Sequence, residues 1–322
     1  MKDTTQNQTK KKISIITPCF NEEDNVNDCA LAVKKVMMSE LPEYDYEHIF
    51  ADNASTDNTK KVIDRLADSD PRVKLIVNSR NVGPFRNMWN AMKSATGDAV
   101  IPLMPADLQD PPSVIPAFVH EWEKGYLVCF GVRSNREEKF LMRLARSIYY
   151  KVINKLSFDT IPEDSGEFLL ADRKVIDSIL QVDDEYPYIR GLVAQTGVVS
   201  SRVEYTWVRR RNGKSKNNFV SLVDQGMNGL VSTSRIPARL AIFGGFLMSA
   251  IGMLFAGYTI LNFLILGTTA SRGITTIIVG LFLLGGIQLI FLGVIGEYVL
   301  SIHGQVRKSP RMFEVVRKNF DL

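Results

Sequence analysis

KISIITPCFNE, residues 12–22, decides how the first two-thirds of the chain reads. Residues 12–17 are short and apolar enough for a buried strand. The chain then turns polar at Pro18-Cys19-Phe20-Asn21-Glu22. The same change recurs twice. A strand over 47–51 runs into Asp52-Asn53-Ala54-Ser55-Thr56-Asp57, and a strand over 99–104 runs on to Asp107-Leu108-Gln109-Asp110. Between them the pattern predicts helices over 23–38, 57–67 and 85–95 and a strand over 73–78. After them it predicts a helix over 113–124, a strand over 127–132, a long helix over 137–156 and a strand over 168–171. Short apolar runs alternating with amphipathic segments indicate βαβ units and a mostly parallel sheet. No internal repeat or low-complexity segment interrupts the pattern.

In an open α/β sheet, ligands bind beyond the carboxyl ends of the strands, where the three polar clusters fall. Some of these residues read as helix starts: Asp110 ahead of Pro111-Pro112, and Asp57 ahead of Asn58-Thr59. Capping does not account for Asp52 and Asp107. Carboxylates at strand ends in a nucleotide crevice face sugar or base hydroxyls, or a hard divalent cation.

The charge distribution divides the chain. Residues 240–271 carry no charge, Arg272 interrupts, and residues 273–296 are again uncharged. Each block supplies a helix of about 25 residues, longer than the roughly 30 Å of a bilayer core at about 1.5 Å per residue. Arg235 and Arg239 precede the first block, and Arg307, Lys308, Arg311, Arg317 and Lys318 follow the second. The positive-inside rule then places both ends in the cytoplasm, with a short turn outside. The N-terminus carries no apolar signal segment, which keeps the preceding domain in the cytoplasm as well. Phe219, Leu222, Val223, Met227, Leu230 and Val231 fall at helical spacing, which suits an amphipathic interfacial helix or one packed on the preceding domain.

Composition excludes several chemistries. Cys19, Cys29 and Cys129 form neither a CxxC pair nor a zinc set, and free thiols suit the cytoplasm. With only His48, His120 and His303, histidine-based metal or triad chemistry has no support. A net charge of +4 fits an anionic membrane surface better than nucleic acid, which is not an expected partner.

IITPCFNEEDNV, ADNASTDNT, RNVG, the block ending in ADLQDPP, GVRSNREE, PEDSGEFLLADR and RRNGKSK span residues 13–216. Together they resemble glycosyltransferase family 2 with the GT-A fold. Within it they are similar to the polyisoprenyl-phosphate hexosyltransferases of the GtrB and dolichol-phosphate mannosyltransferase type. The two-helix tail resembles the GtrB-like members too. The resemblance implies a flexible tail (1–11), a GT-A catalytic domain (12–214), juxtamembrane amphipathic helices (215–239), two transmembrane helices (240–302) and a cytoplasmic tail (303–322).

It also implies roles. Pro18, Phe20, Asn21, Glu22, Asp52 and Asp107 would hold the nucleotide, with Phe20 replacing the usual tyrosine and Asn53-Ala54 replacing the common Asp-Gly. The family's metal motif is Asp-Ala-Asp-Leu-Gln. Here Pro105 stands at its first carboxylate, leaving Asp107 and Gln109 as ligands of Mg²⁺ or Mn²⁺. Arg133 and Arg136 match acceptor-side arginines, and Arg210, Ser215 and Lys216 match a basic loop over the phosphates. The same basic run also suits membrane-surface attraction. Asp159, Asp164 and Glu167 are the unranked acidic candidates near the acceptor, Glu167 standing where relatives usually carry Asp.

The implied reaction is inverting hexose transfer from a nucleotide sugar to a polyisoprenyl phosphate at the cytoplasmic face. UDP-glucose and undecaprenyl phosphate are the expected pair, and GDP-mannose is the alternative donor. A non-enzymatic scaffold or glycolipid-translocation subunit is the contrasting reading, and a homo-oligomer stays open.

Overall fold

The computed structural model describes residues 10–134, 165–182, 184, 187–208, 236–266, 273–307 and 312–320. The expected helix over 137–156 lies outside these residues, as does the juxtamembrane segment 215–239 up to residue 235; residues 236–239 begin a long apolar helix. The chain forms two units. One comprises residues 1–217 and 308–322, and the other residues 218–307.

The first unit is an α/β fold around one eight-stranded sheet. Its elements are β1 Lys12–Cys19, α1 Val26–Glu40, β2 Asp45–Asp52, α2 Thr59–Ser69, β3 Val73–Asn78, α3 Pro84–Ser94 and β4 Ala99–Ile101. They continue with a 3₁₀ turn Pro112–Val114, α4 Ile115–Glu123, β5 Val128–Ser134, β6 Ser165–Asp172, α5 Arg173–Leu180, α6 Ile189–Gln195 and β7 Ser200–Thr206. The last strand, β8 Glu314–Lys318, follows the second unit. The sheet order is β7-β5-β6-β4-β1-β2-β3-β8. β1 runs parallel to β2 and β4, β2 parallel to β3, and β5 parallel to β7. β6 is antiparallel to both neighbours, and β8 is antiparallel to β3.

Strand β1 is buried on both faces, as a central parallel strand requires. Ile13 and Ile15 pack with α1 and α4, while Ile16 packs on the other face with α3, α5 and α6. The expected strand over 99–104 ends at Ile101 because Pro102 has no N–H to donate. The chain still runs beside β1, since the Met104 amide donates to the Ile16 carbonyl at 2.7 Å.

Residues 303–322, expected as a tail, contribute β8 to the sheet edge. Lys318 pairs with Asp64 and Asp68 of α2 at 2.8 and 2.7 Å. Phe320 packs with the α3 side of the core. Asn319 Nδ2 donates to the Ala67 and Val73 carbonyls.

A buried ionic cluster pins the strands at their amino-terminal halves. Glu47 is 1% exposed. It accepts from Ser14 Oγ at 2.5 Å and from the Thr96 amide at 2.6 Å, and pairs with Lys74 at 2.7 Å. Gly97 is required beside it, because a β-carbon there would lie 2.6 Å from the Ser14 amide nitrogen. Burial pushes the Glu47 carboxyl up, but Lys74, Ser14 and Thr96 outweigh it and hold the group at about 2.

The second unit holds α7 Ile236–Leu266 and α8 Ile274–Val306. Both contain segments long and apolar enough to cross a membrane: Phe243–Asn262 with mean hydropathy 1.6, and Leu283–Val306 with 1.9. Neither segment is buried, and Phe246, Met253, Leu264, Leu289 and Leu300 are exposed. Gly244 lets the helices approach, since a β-carbon there would sit 2.9 Å from the Phe291 ring.

Glu47→Gln should cost about 3 kcal/mol at neutral pH, because it leaves Lys74 buried without its counter-charge. The folded pKa is depressed, so the carboxylate's contribution is full above the unfolded value and fades as pH falls from about 5 toward about 2. Chemical denaturation should therefore show the gap between wild type and variant narrowing over that window. A pH-independent gap would refute the ionic origin.

Candidate functional site

Strand direction gathers the site at one edge of the sheet. The carboxyl ends of β1, β2, β3, β4, β5 and β7 lie along that edge. The amino end of β6 lies there too, because β6 runs the other way. Asp52, Asn78, Asp107, Asp110, Arg133, Glu167 and Tyr205 therefore belong to one rim.

The β1 and β2 loops are laced together. The Asn21 amide donates to Ser55 Oγ at 2.9 Å, and Asn21 Oδ1 accepts from the Thr56 amide at 2.7 Å. The Glu22 amide donates to Thr59 Oγ1 at 2.8 Å. Asp57 supports the start of α2 as expected, accepting from the Thr59 amide at 2.9 Å. Pro18, Phe20, Asn21 and Glu22 are half-buried along this loop.

Asp52 is 1% exposed. Its Oδ1 accepts from the Ser55 amide at 3.2 Å and from Ser55 Oγ. Its Oδ2 is buried with no hydrogen-bond partner. Burial raises the Asp52 pKa, and the Ser55 donors offset this only in part. A buried carboxylate oxygen without a donor is costly unless a ligand supplies one.

Asn53 uses both ends of its amide. Nδ2 donates to Asn81 Oδ1 at 2.8 Å, and Oδ1 accepts from the Val82 amide at 3.0 Å. The RNVG turn is thereby fastened to the end of β2. Asn78 and Asn87 extend this amide chain, with Asn78 Nδ2 donating to Asn87 Oδ1 at 2.8 Å and Asn87 Nδ2 to the Ala51 carbonyl at 2.7 Å.

The third loop holds the expected metal ligands. Asp107, Leu108 and Gln109 are half-buried, and the Gln109 amide donates to Asp107 Oδ1 at 3.2 Å. Asn21, Ala54 and Leu108 all have positive φ, at 54°, 59° and 58°. Each of the three strand-end loops thus carries one left-handed non-glycine residue, and strain of this kind collects at functional sites. Carboxylate and amide oxygens are hard donors suited to Mg²⁺ or Mn²⁺, with diphosphate and water able to fill the remaining positions. Among the described residues no group of three His, Cys, Asp or Glu could hold a metal.

Asp110 does not cap a helix. It is 1% exposed and binds Arg133 bidentately, at 2.9 Å to Nε and 2.7 Å to Nη2. It also accepts from Tyr205 Oη at 2.6 Å. Burial opposes the charge on Arg133, but the Asp110 bonds outweigh this and raise its pKa. Arg133, expected at the acceptor phosphate, therefore commits two nitrogens to Asp110. Sequence reading missed this because an aspartate before two prolines has the form of a cap.

Glu167 shares a face of β6 with Leu169 and Ala171, and its Oε2 accepts from the Arg190 amide at 3.1 Å. Burial raises its pKa, partly offset by Arg190. Asp159, Asp164, Arg136, Arg210, Ser215 and Lys216 lie outside the described residues.

The mostly parallel sheet thus carries Asp52, Asp107 and Gln109 on the loops that follow its strands. The chain belongs to glycosyl transferase family 2, whose model matches residues 14–180. An uncharacterized glycosyltransferase, YkcC, of Bacillus subtilis (strain 168) is 32% identical over 310 residues, 96% of this chain and 94% of that one. The SfII prophage-derived bactoprenol glucosyl transferase of Shigella flexneri is 34% identical over 301 residues, 93% of this chain and 96% of that protein. Among solved structures, the mannosyltransferase PcManGT from Pyrobaculum calidifontis, in complex with GDP-Man and Mn²⁺, is 13% identical. Its TM-score is 0.47, over 94% of this chain and 89% of that one.

Asn53→Asp should destabilise the protein by about 1–3 kcal/mol near neutral pH, because an aspartate cannot donate to Asn81. The new carboxyl would have a raised folded pKa, so the penalty applies above that value and vanishes as the group protonates. Thermal melting across pH should show the variant approaching wild type on acidification. An unchanged deficit would count against a carboxylate effect.

Proposed function

We propose that the chain transfers glucose from UDP-glucose to undecaprenyl (bactoprenyl) phosphate at the cytoplasmic face of the membrane, with inversion. The observation that carries this reading is the likeness to a bactoprenol glucosyl transferase at 34% identity over 93% of the chain. That length takes in the polar strand-end loops and both apolar helices. The unpartnered Asp52 Oδ2 supports a donor that brings its own N–H, as a uracil ring does. Helices with exposed apolar side chains support an acceptor that lives in a bilayer.

In this reading a lipid phosphate oxygen attacks the anomeric carbon, the bond to the nucleoside diphosphate breaks, and the electron pair leaves with the diphosphate. The acceptor's second pKa is roughly 6, so it is already largely dianionic and needs no strong base. Asp52 accepts from the base and fixes the nucleotide's register, with Pro18, Phe20, Asn21 and Glu22 lining the same loop. Asp107 and Gln109 would hold Mg²⁺ or Mn²⁺, which supplies positive charge against the leaving diphosphate. Arg133 serves the acceptor side with its orientation set by Asp110, and Arg136, Arg210, Ser215 and Lys216 complete the phosphate-binding set. Glu167, its pKa raised by burial, can orient the acceptor or take a residual proton, as can Asp159 and Asp164.

The test incubates membranes carrying the full chain with undecaprenyl phosphate and either radiolabelled UDP-glucose or GDP-mannose. A glucosyl lipid from UDP-glucose is expected. Label entering lipid only from GDP-mannose would replace the donor, and none from either would end the reading. Asp107→Ala should abolish transfer. Asp52→Ala should weaken UDP binding by about tenfold or more, the loss expected of a charged hydrogen bond. Wild-type UDP affinity in the Asp52 variant would remove the base-binding role.

A further inference from the structure

Asp110 sits one residue beyond the expected metal ligands and caps no helix. Its carboxylate receives three donors from two strands: Arg133 Nε and Nη2 from β5, and Tyr205 Oη from β7. Arg133 Nε also donates to Tyr205 Oη at 3.2 Å, which closes the triangle. The guanidinium lies 5.7 Å from the Trp207 ring centroid, just past the end of β7. The neighbouring peptide is held too, as the Val208 amide donates to the Gln109 carbonyl at 3.0 Å. Gln109's own amide donates to Asp107 Oδ1. Asp107, Gln109 and Asp110 thus form one short segment fastened to the exits of β5 and β7.

This matters because the segment is strained. Leu108 is left-handed at φ 58°, a conformation disfavoured for a leucine that persists only where surrounding contacts enforce it. The three donors on Asp110 supply that enforcement. With Pro105 at the first position of the motif, a cation would take only Asp107 and Gln109 from this loop.

We propose that Asp110 is a positioning residue for the transfer reaction: by clamping Arg133 and Tyr205 it holds the Asp107–Gln109 turn in the geometry that binds the divalent cation. The inference rests on the metal-dependent transfer reading above. Asparagine at this position keeps the size but turns an NH₂ toward the Arg133 donors, so the bidentate pair is lost.

The test measures UDP binding to the purified full chain as Mn²⁺ is titrated, with no acceptor present. For Asp110→Asn the Mn²⁺ midpoint should rise by about tenfold or more, the usual consequence of losing a group that orients a metal ligand. UDP affinity at saturating Mn²⁺ should return to the wild-type value, which general damage to the fold would not allow. Arg133→Lys keeps the charge but not the fork, and should raise the midpoint in the same direction if the asparagine variant does not fold. A wild-type midpoint in whichever of the two folds would overturn the positioning role. If the wild type itself binds UDP without regard to Mn²⁺, the metal assignment fails and this inference fails with it.

Discussion

The parallel pairing of β1 with β2 and β4 is the constraint on which the rest depends. Cys19 lies opposite Asp52 in the register, and the chain beyond β4 returns a hydrogen bond to Ile16. Parallel neighbours must leave the sheet at the same edge, so three polar loops far apart in sequence emerge side by side. The antiparallel β6 completes the rim by entering where the others leave, which brings Glu167 to the same edge. Glu47, Lys74 and Ser14 hold the opposite halves of β1, β2 and β3 in register.

Much of this was legible in residue pattern. The strand over 73–78 matches β3, and the apolar blocks after residue 240 form two long helices. What was not legible had physical causes. β7 and β8 are edge strands that alternate exposed and partly buried residues, so they carry no continuous apolar run. α5 and α6 are short, and their amphipathic stripes pack on a face that the sequence alone does not reveal. Asp110 was misread because a buried ion pair with a residue of β5 leaves no local signature, whereas Asp57 was read correctly because its bond to the Thr59 amide is local.

Asp52, Asp107 and Asp110 show how three aspartates on one rim diverge in chemistry. Asp110 has every oxygen bonded to the protein and acts on structure. Asp52 is equally buried but keeps one oxygen without a donor, a cost that a folded domain sustains when a ligand removes it. Asp107 is half-buried on a strained turn, open enough to meet a cation. The departures from the family pattern follow the same logic. Asn53 gives an amide donor that aspartate would lack, and Ala54 accepts a left-handed backbone that glycine would adopt at less cost.

The most direct measurement is an experimental structure of the full chain with UDP and Mn²⁺ bound. The account predicts the uracil ring at the end of β2 with a ring N–H within hydrogen-bond distance of Asp52 Oδ2, and the diphosphate beside Asp107 and Gln109. A nucleotide bound elsewhere on the molecule, or seated there with Asp52 Oδ2 still lacking a donor, would contradict it.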